Sequence, residues 1–321
     1  MDTHDERGAQ RLSREQISAW EDLGFGMFIH FGMSTYDGKE LSSGATSPEA
    51  YCPDRLDVDG WIRAAARAGM RYAVLTTKHV AGFCLWESRH TDYHVGASGN
   101  RTDVVALFME ACAKHGVLPG FYYCSWDNHH LFGSKTPSTT AWQDAFTTAE
   151  YRDFQTAQLL ELNERYPGIR EWWIDIPRVL PRDYRNGLYA ALATATPEAV
   201  IVMNNGISDG TSLSVASSWP TDVVTIERNV PPSRAGHEPW REIEGDRYYV
   251  AGEVCECIGS EWFHVPGDTP RADEELFGIY LTTRARGANL LLDVGPDRHG
   301  ELPAEAVGAL DRLAANIARL G

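Results

Sequence analysis

An α/β fold, a (β/α)8-type, TIM-like barrel in a single domain, is the architecture this sequence predicts. Three observations predict it. Short apolar runs alternate with amphipathic stretches along the chain. The clear apolar runs number eight, and nearly every one finishes in a polar or ionisable residue. Eight such units spread over 321 residues match a closed barrel better than an open doubly wound sheet.

The opening MDTHDERGAQRLSREQ is polar, which predicts an N-terminal segment over 1–20 and a barrel over 21–321. GFGMFIHF (24–31) reads as the first buried strand. Trp61 to Ala68 reads as a helix stopped by Gly69, and RYAVLTT (71–77) as the second strand. TDVVALFMEACAKHG (102–116) predicts a helix with Thr102 as N-cap and Gly116 as its stop. VLPGFYYCSW (117–126) is the third strand. A helix over 148–165 precedes IREWWID (169–175), the fourth. A helix over 182–195 precedes AVIVMN (199–204), the fifth. DVVTIE (222–227) is the sixth strand and YYVAGEV (248–254) the seventh. A helix over 271–286, the strand NLLLDVG (289–295) and a helix from Ala304 to Leu320 complete the pattern. SWPTDVV and ERNVPPSRAGHEPW, rich in Pro, Gly and polar residues, read as long loops over one face.

Composition narrows the function. Hydrophobic residues make up 43% and charged residues 23%, close to soluble globular averages. No apolar run approaches the ~18 residues of a spanning helix. A formal charge of -16 repels phosphate backbones, so a neutral or cationic ligand is expected and nucleic acid is not. No signal-peptide core is seen, and a cytoplasmic protein is expected. Cysteines at 52, 84, 112, 124, 255 and 257 are scattered, as buried reduced thiols would be. Neither zinc-finger spacing nor an H-E-x-x-H pattern occurs, so neither metal nor cofactor is expected. Oligomeric state is left open.

Barrel enzymes keep their catalytic groups at the carboxyl ends of the strands. Those ends carry His30; Lys78 and His79; Tyr123, Trp126 and Asp127; Asp175, preceded by Trp172 and Trp173; Asn204 and Asn205; Glu227 and Arg228; Glu253; and Asp293. Carboxylates thus sit beside Trp, Tyr and His, with no cysteine nucleophile or glycine-rich phosphate loop. Aromatic faces such as Trp86, Trp126 and Trp173 stack on a sugar ring, while His, Asn and carboxylates bond its hydroxyls. Two carboxyls in one cleft are what glycoside cleavage needs. Each residue also has a plainer reading. Asp175 can cap a helix, His30 and His79 can be core histidines, and Glu227–Arg228 can be a surface pair. One of the adjacent Trp172 and Trp173 points into the barrel and the other outward. Asp127-Asn128-His129-His130 reads as a solvated loop rather than a metal site.

FGMFIHFGMSTY, YAVLTTKHVAGFCLWESRHTDYHV, TDVVALFMEACAKHGVLPGFYYCSWD and EWWID resemble, in order and spacing, the α-L-fucosidases of glycoside hydrolase family twenty-nine. DEELFGIYLTTRARGANLLLDVGPDRHGELP (273–303) is similar to that family's last barrel unit. The resemblance implies a retaining, exo-acting α-L-fucosidase with Asp175 as nucleophile. It makes Trp173 a sugar-contacting aromatic, His30 and His79 partners of fucose hydroxyls, and Tyr123 a tyrosine near the nucleophile. It leaves Glu227 and Glu253 as candidates for the acid/base, with Glu227 favoured. The chain departs from the family in three ways. Lys-His-His-Asp-Gly-Phe becomes Lys78-His79-Val80-Ala81-Gly82-Phe83. Ile176, not Gly, follows the nucleophile. The sequence ends without the family's frequent C-terminal β-sandwich. Losing one partner in a buried polar site costs ~1–3 kcal/mol, enough to shift sugar preference. An α-galactoside or other α-glycoside is therefore an alternative substrate, and non-catalytic carbohydrate binding a further one.

Overall fold

The computed structural model describes residues 8–130, 148–176, 180–204, 215, 218–231 and 237–320. The chain opens on helix α1 (Arg14–Glu21), where Ser13 and Gln16 form a reciprocal capping box. Ile17 and Trp20 are buried, and the Trp20 indole N–H donates to Glu171 Oε2 at 3.0 Å. Residues 14–20 are therefore part of the barrel and not a polar segment apart from it. The polar letters alternate with apolar ones at helical spacing, and those apolar residues cover the barrel floor.

Strand β1 (Phe25–Ile29), the short helix α2 (Met33–Asp37), helix α3 (Val58–Arg67) and strand β2 (Tyr72–Lys78) follow. Helix α4 (Val104–His115) is capped by Asp103, whose side chain accepts from Ala106 N–H, one residue beyond the expected Thr102. Gly116 ends it at φ 69°, a left-handed turn that glycine adopts without strain. Then come β3 (Leu118–Cys124), α5 (Ala149–Arg165), β4 (Glu171–Asp175), α6 (Arg182–Ala195), β5 (Val200–Asn204) and β6 (Val223–Glu227). A hairpin of β7 (Trp240–Ile243) and β8 (Asp246–Tyr249) precedes β9 (Ala251–Cys257). Helix α7 (Asp273–Ala285), strand β10 (Asn289–Asp293) and helix α8 (Ala304–Ile317) close the chain.

Eight parallel strands form a closed barrel in the order β1-β10-β9-β6-β5-β4-β3-β2, and β7–β8 pair antiparallel outside it. The expected seventh strand, 248–254, is thus displaced: the barrel strand is 251–257, and Tyr248 and Tyr249 belong to the hairpin. Barrel strands are almost wholly buried because both faces are covered, by the interior on one side and by helices on the other. Among the described residues, no helix is long and apolar enough to cross a membrane.

Candidate active site

Three adjacent strands place three polar side chains at the carboxyl end of the barrel. Asp175 ends β4, and Asn204, opposite it in the register, ends β5. Glu227 ends β6. Asn204 Nδ2 donates to Asp175 Oδ1 at 2.7 Å and to Glu227 Oε2 at 3.3 Å. Its amide oxygen accepts from Thr225 Oγ1 at 2.5 Å, which fixes which way the amide faces. One nitrogen touching both carboxyls limits those two oxygens to a separation of about 6 Å at most.

Asp175 is held from three sides. Tyr122 O–H donates to its Oδ2 at 2.5 Å, Asn204 to its Oδ1, and the Ile176 backbone N–H to Oδ1 at 2.9 Å. Burial pushes its pKa up, against the pull of these three donors and of His30. Glu227 is pushed up to about 7, first by burial and then by the charge of Asp175, with Glu40 adding to the rise. Asn204 and Arg228 oppose it. The two carboxyls thus differ: donors converge on Asp175 and favour its anion, while a dry site beside an anion favours protonated Glu227.

Among the described residues, the pocket around this pair is lined by Phe28, His30, Glu40, His79, Tyr122, Trp173, Asp175, Asn204, Glu227, Cys255 and Trp262. His30 follows β1, and its Nδ1 lies 2.7 Å from Asp293 Oδ1. Burial lowers the pKa of His30 to about 3 and that of His79 well below its usual value, so both rings are neutral hydrogen-bonding groups near pH 7. Trp173 stacks beside Tyr122 with ring centroids 5.5 Å apart. Its neighbour Trp172 faces outward and donates to Thr196 Oγ1 at 2.9 Å.

Of the sequence candidates, the barrel gathers Asp175, Glu227, His30, His79, Trp173 and Asn204 around one pocket. It does not bring Tyr123, Trp86, Trp126 or Glu253 to its lining. Tyr123 faces α5 and donates to Gln158 Oε1 at 2.7 Å, because neighbouring strand residues alternate faces; Tyr122 takes the place beside Asp175. Trp86 donates to Glu161 Oε2 at 3.1 Å outside the barrel, and Trp126 to Asn128 Oδ1 at 2.7 Å. Glu253 sits mid-strand, fully buried, accepting from Tyr72 O–H at 2.8 Å and Trp173 N–H at 3.0 Å. It lies outside the pocket lining and braces Trp173.

Other readings change as well. Glu227 and Arg228 are no surface pair: the Arg228 guanidinium lies 5.0 Å from the Trp262 ring centroid and donates to Ser260 O. Asp127 is not solvated, since it forms a fully buried ion pair with Lys78 at 2.9 Å. Val80 and Ala81 are each 2% exposed and absent from the pocket lining among the described residues. Asn205 lies outside the described residues. Phe28, Glu40, Tyr122, Cys255 and Trp262 escaped sequence reasoning. Only Phe28 carried a signal, two residues before His30 and so on the same face; the others depend on loop paths and strand register.

The alpha-L-fucosidase family profile matches residues 45–321. The chain belongs to that family. Alpha-L-fucosidase 1 of Arabidopsis thaliana is 28% identical over 317 residues, covering 94% of this chain and 59% of that protein. A relative from Oryza sativa subsp. japonica is 30% identical over 310 residues, covering 92% of this chain and 56% of its own length. The chain therefore spans less than three fifths of these plant relatives. In structure it matches alpha-L-fucosidase isoenzyme 1 from Paenibacillus thiaminolyticus with a TM-score of 0.78 at 24% identity, covering 95% and 75% of the two chains. That likeness carries the fold, a (β/α)8 barrel shared across the family.

Proposed function

We propose that this protein is a retaining glycoside hydrolase that removes terminal α-L-fucose from glycosides in the cytoplasm. The observation that carries the reading is the Asn204 bridge, which keeps Asp175 and Glu227 within about 6 Å. That bound on the facing oxygens accommodates the ~5–5.5 Å carboxyl separation of double displacement. Family membership supplies the sugar.

In the first step an Asp175 carboxylate oxygen forms a bond to the anomeric carbon as the glycosidic C–O bond breaks. Glu227 gives its proton to the departing oxygen. In the second, Glu227, now a carboxylate, takes a proton from water. The water oxygen bonds the anomeric carbon, and Asp175 leaves as carboxylate. Tyr122 and Asn204 hold Asp175 in line. Phe28, Trp173 and Trp262 offer apolar faces to the ring, and His30, His79 and Glu40 offer polar atoms to its hydroxyls.

The test is hydrolysis of an aryl α-L-fucoside beside an aryl α-galactoside, with the first-formed anomer read by NMR. Fucoside cleavage with retention is expected; galactoside turnover far above fucoside, or inversion, would overturn the proposal. Asp175→Ala should abolish turnover. Azide should rescue Glu227→Ala; rescue of Glu253→Ala alone would move the acid/base role to Glu253.

A further inference from the structure

The mechanism leaves one buried carboxyl beside the pocket unexplained. Asp293 ends β10, next to β1 in the barrel, and is 1% exposed. Its Oδ1 meets His30 Nδ1 at 2.7 Å, while its Oδ2 has no hydrogen bond of ordinary geometry among the described residues. The His30 ring is fixed on its other sides by Phe28, Trp262 and Phe263, with centroids 4.5, 5.3 and 5.2 Å away. With Nδ1 engaged, Nε2 is the nitrogen left for the pocket.

We infer that Asp293 is a positioning residue that donates a proton from Oδ1 toward His30 Nδ1, so that His30 carries its own proton on Nε2 and offers a hydrogen-bond donor to a sugar oxygen. The reasoning is one of satisfied partners. If Nδ1 carried the proton, Asp293 would be left either as a buried anion or with its proton on the unpartnered Oδ2. The first buries a charge and the second a donor without an acceptor, whereas an acid donating from Oδ1 buries no charge and leaves only a carbonyl oxygen unmatched. Burial acts the same way on both partners. It raises the Asp293 carboxyl well above its usual range, against the His30 backbone N–H and Arg228, and it lowers His30. The titratable and charged groups that face His30 are Asp293 on β10, Asp175 on β4, Tyr122 on β3, His79 beyond β2 and Arg228 beyond β6. Asp175 favours a cationic ring and Arg228 disfavours it, leaving burial to decide.

The inference rests on the glycosidase reading only for the nature of the oxygen that Nε2 meets. It is tested in the free protein by long-range 1H–15N NMR with 15N-labelled histidine, assigning His30 by difference from His30→Gln. The expected pattern is a protonated Nε2 and a bare Nδ1, unchanged from about pH 5 to about pH 8. A proton on Nδ1, or titration of the ring within that range, overturns the inference. Asp293→Asn should keep the pattern, its amide N–H replacing the acid O–H, and keep kcat/KM within about threefold. Asp293→Leu, at an unchanged melting temperature, should mix the tautomers and lower kcat/KM about tenfold or more. An unchanged tautomer in Asp293→Leu overturns the inference too. Failure to cleave any fucoside would sink the functional proposal, while the ring pattern would still be read.

Discussion

Ile176 has φ 52°, a left-handed conformation that strains a β-branched side chain. Its N–H donates to Asp175 Oδ1 at 2.9 Å from a peptide plane that the backbone of Asp175 sets. The backbone donor, not the isoleucine side chain, therefore holds Asp175, and a residue free to adopt positive φ should serve as well. Ile176→Gly is expected to keep kcat/KM within about threefold, checked by steady-state kinetics. A hundredfold loss would show that the side chain itself matters. Tyr122 and Tyr123 make the same point about faces. Tyr122→Phe removes a charge-assisted hydrogen bond worth ~1.5–3 kcal/mol, so kcat/KM should fall roughly 10- to 150-fold. Tyr123→Phe should leave kcat/KM alone and cost ~1–3 kcal/mol of stability, read by denaturant unfolding, because buried Gln158 Oε1 loses its donor. The sequence put both tyrosines in the third strand and singled out Tyr123 at its end, but which one faces inward follows from the pairing Tyr122↔Trp173, and register is a property of the assembled sheet.

At the scale of elements, β9 was the hardest to read. The preceding hairpin turns through Glu244 and Gly245, both at positive φ (56° and 95°), as a two-residue primed turn requires. Glu-Gly is a weaker signal than Asn-Gly, so Tyr248 and Tyr249 read as the start of a barrel strand. Moving the strand to Ala251–Cys257 carries Glu253 from the mouth to the interior, where it lies close to Glu171. Burial holds the Glu253 carboxyl above its ordinary range. A raised folded pKa gives stability that is present below the unfolded pKa and lost as pH rises through the folded one. Gln at this position cannot ionise and lacks that slope. The melting temperature of Glu253→Gln should therefore gain on wild type as pH rises from about 4 to about 8. Parallel melting curves across that range would refute it.

For the whole molecule, periodicity sufficed to foresee eight strands and closure, because each strand is apolar and buried whatever its register. The pocket's electrostatics were not legible, since they depend on which groups closure makes neighbours. Glu40, from the loop beyond α2, joins Asp175 and Glu227 across the pocket and adds its charge to the forces raising Glu227. The proposed mechanism uses Asp175 ionised and Glu227 protonated, so kcat/KM should be bell-shaped in pH. The acid limb should lie above the ordinary aspartate range, because Asp175 is raised by burial. The alkaline limb should fall as pH rises through about 7, where Glu227 loses its proton. Glu40→Gln removes one anion facing Glu227, so the proton is held less tightly and the alkaline limb should move to lower pH, whatever happens to the maximal rate. A pH series of kcat/KM on an aryl α-L-fucoside reads both limbs. An alkaline limb that stays in place in Glu40→Gln would mean that burial and Asp175 alone set the acid.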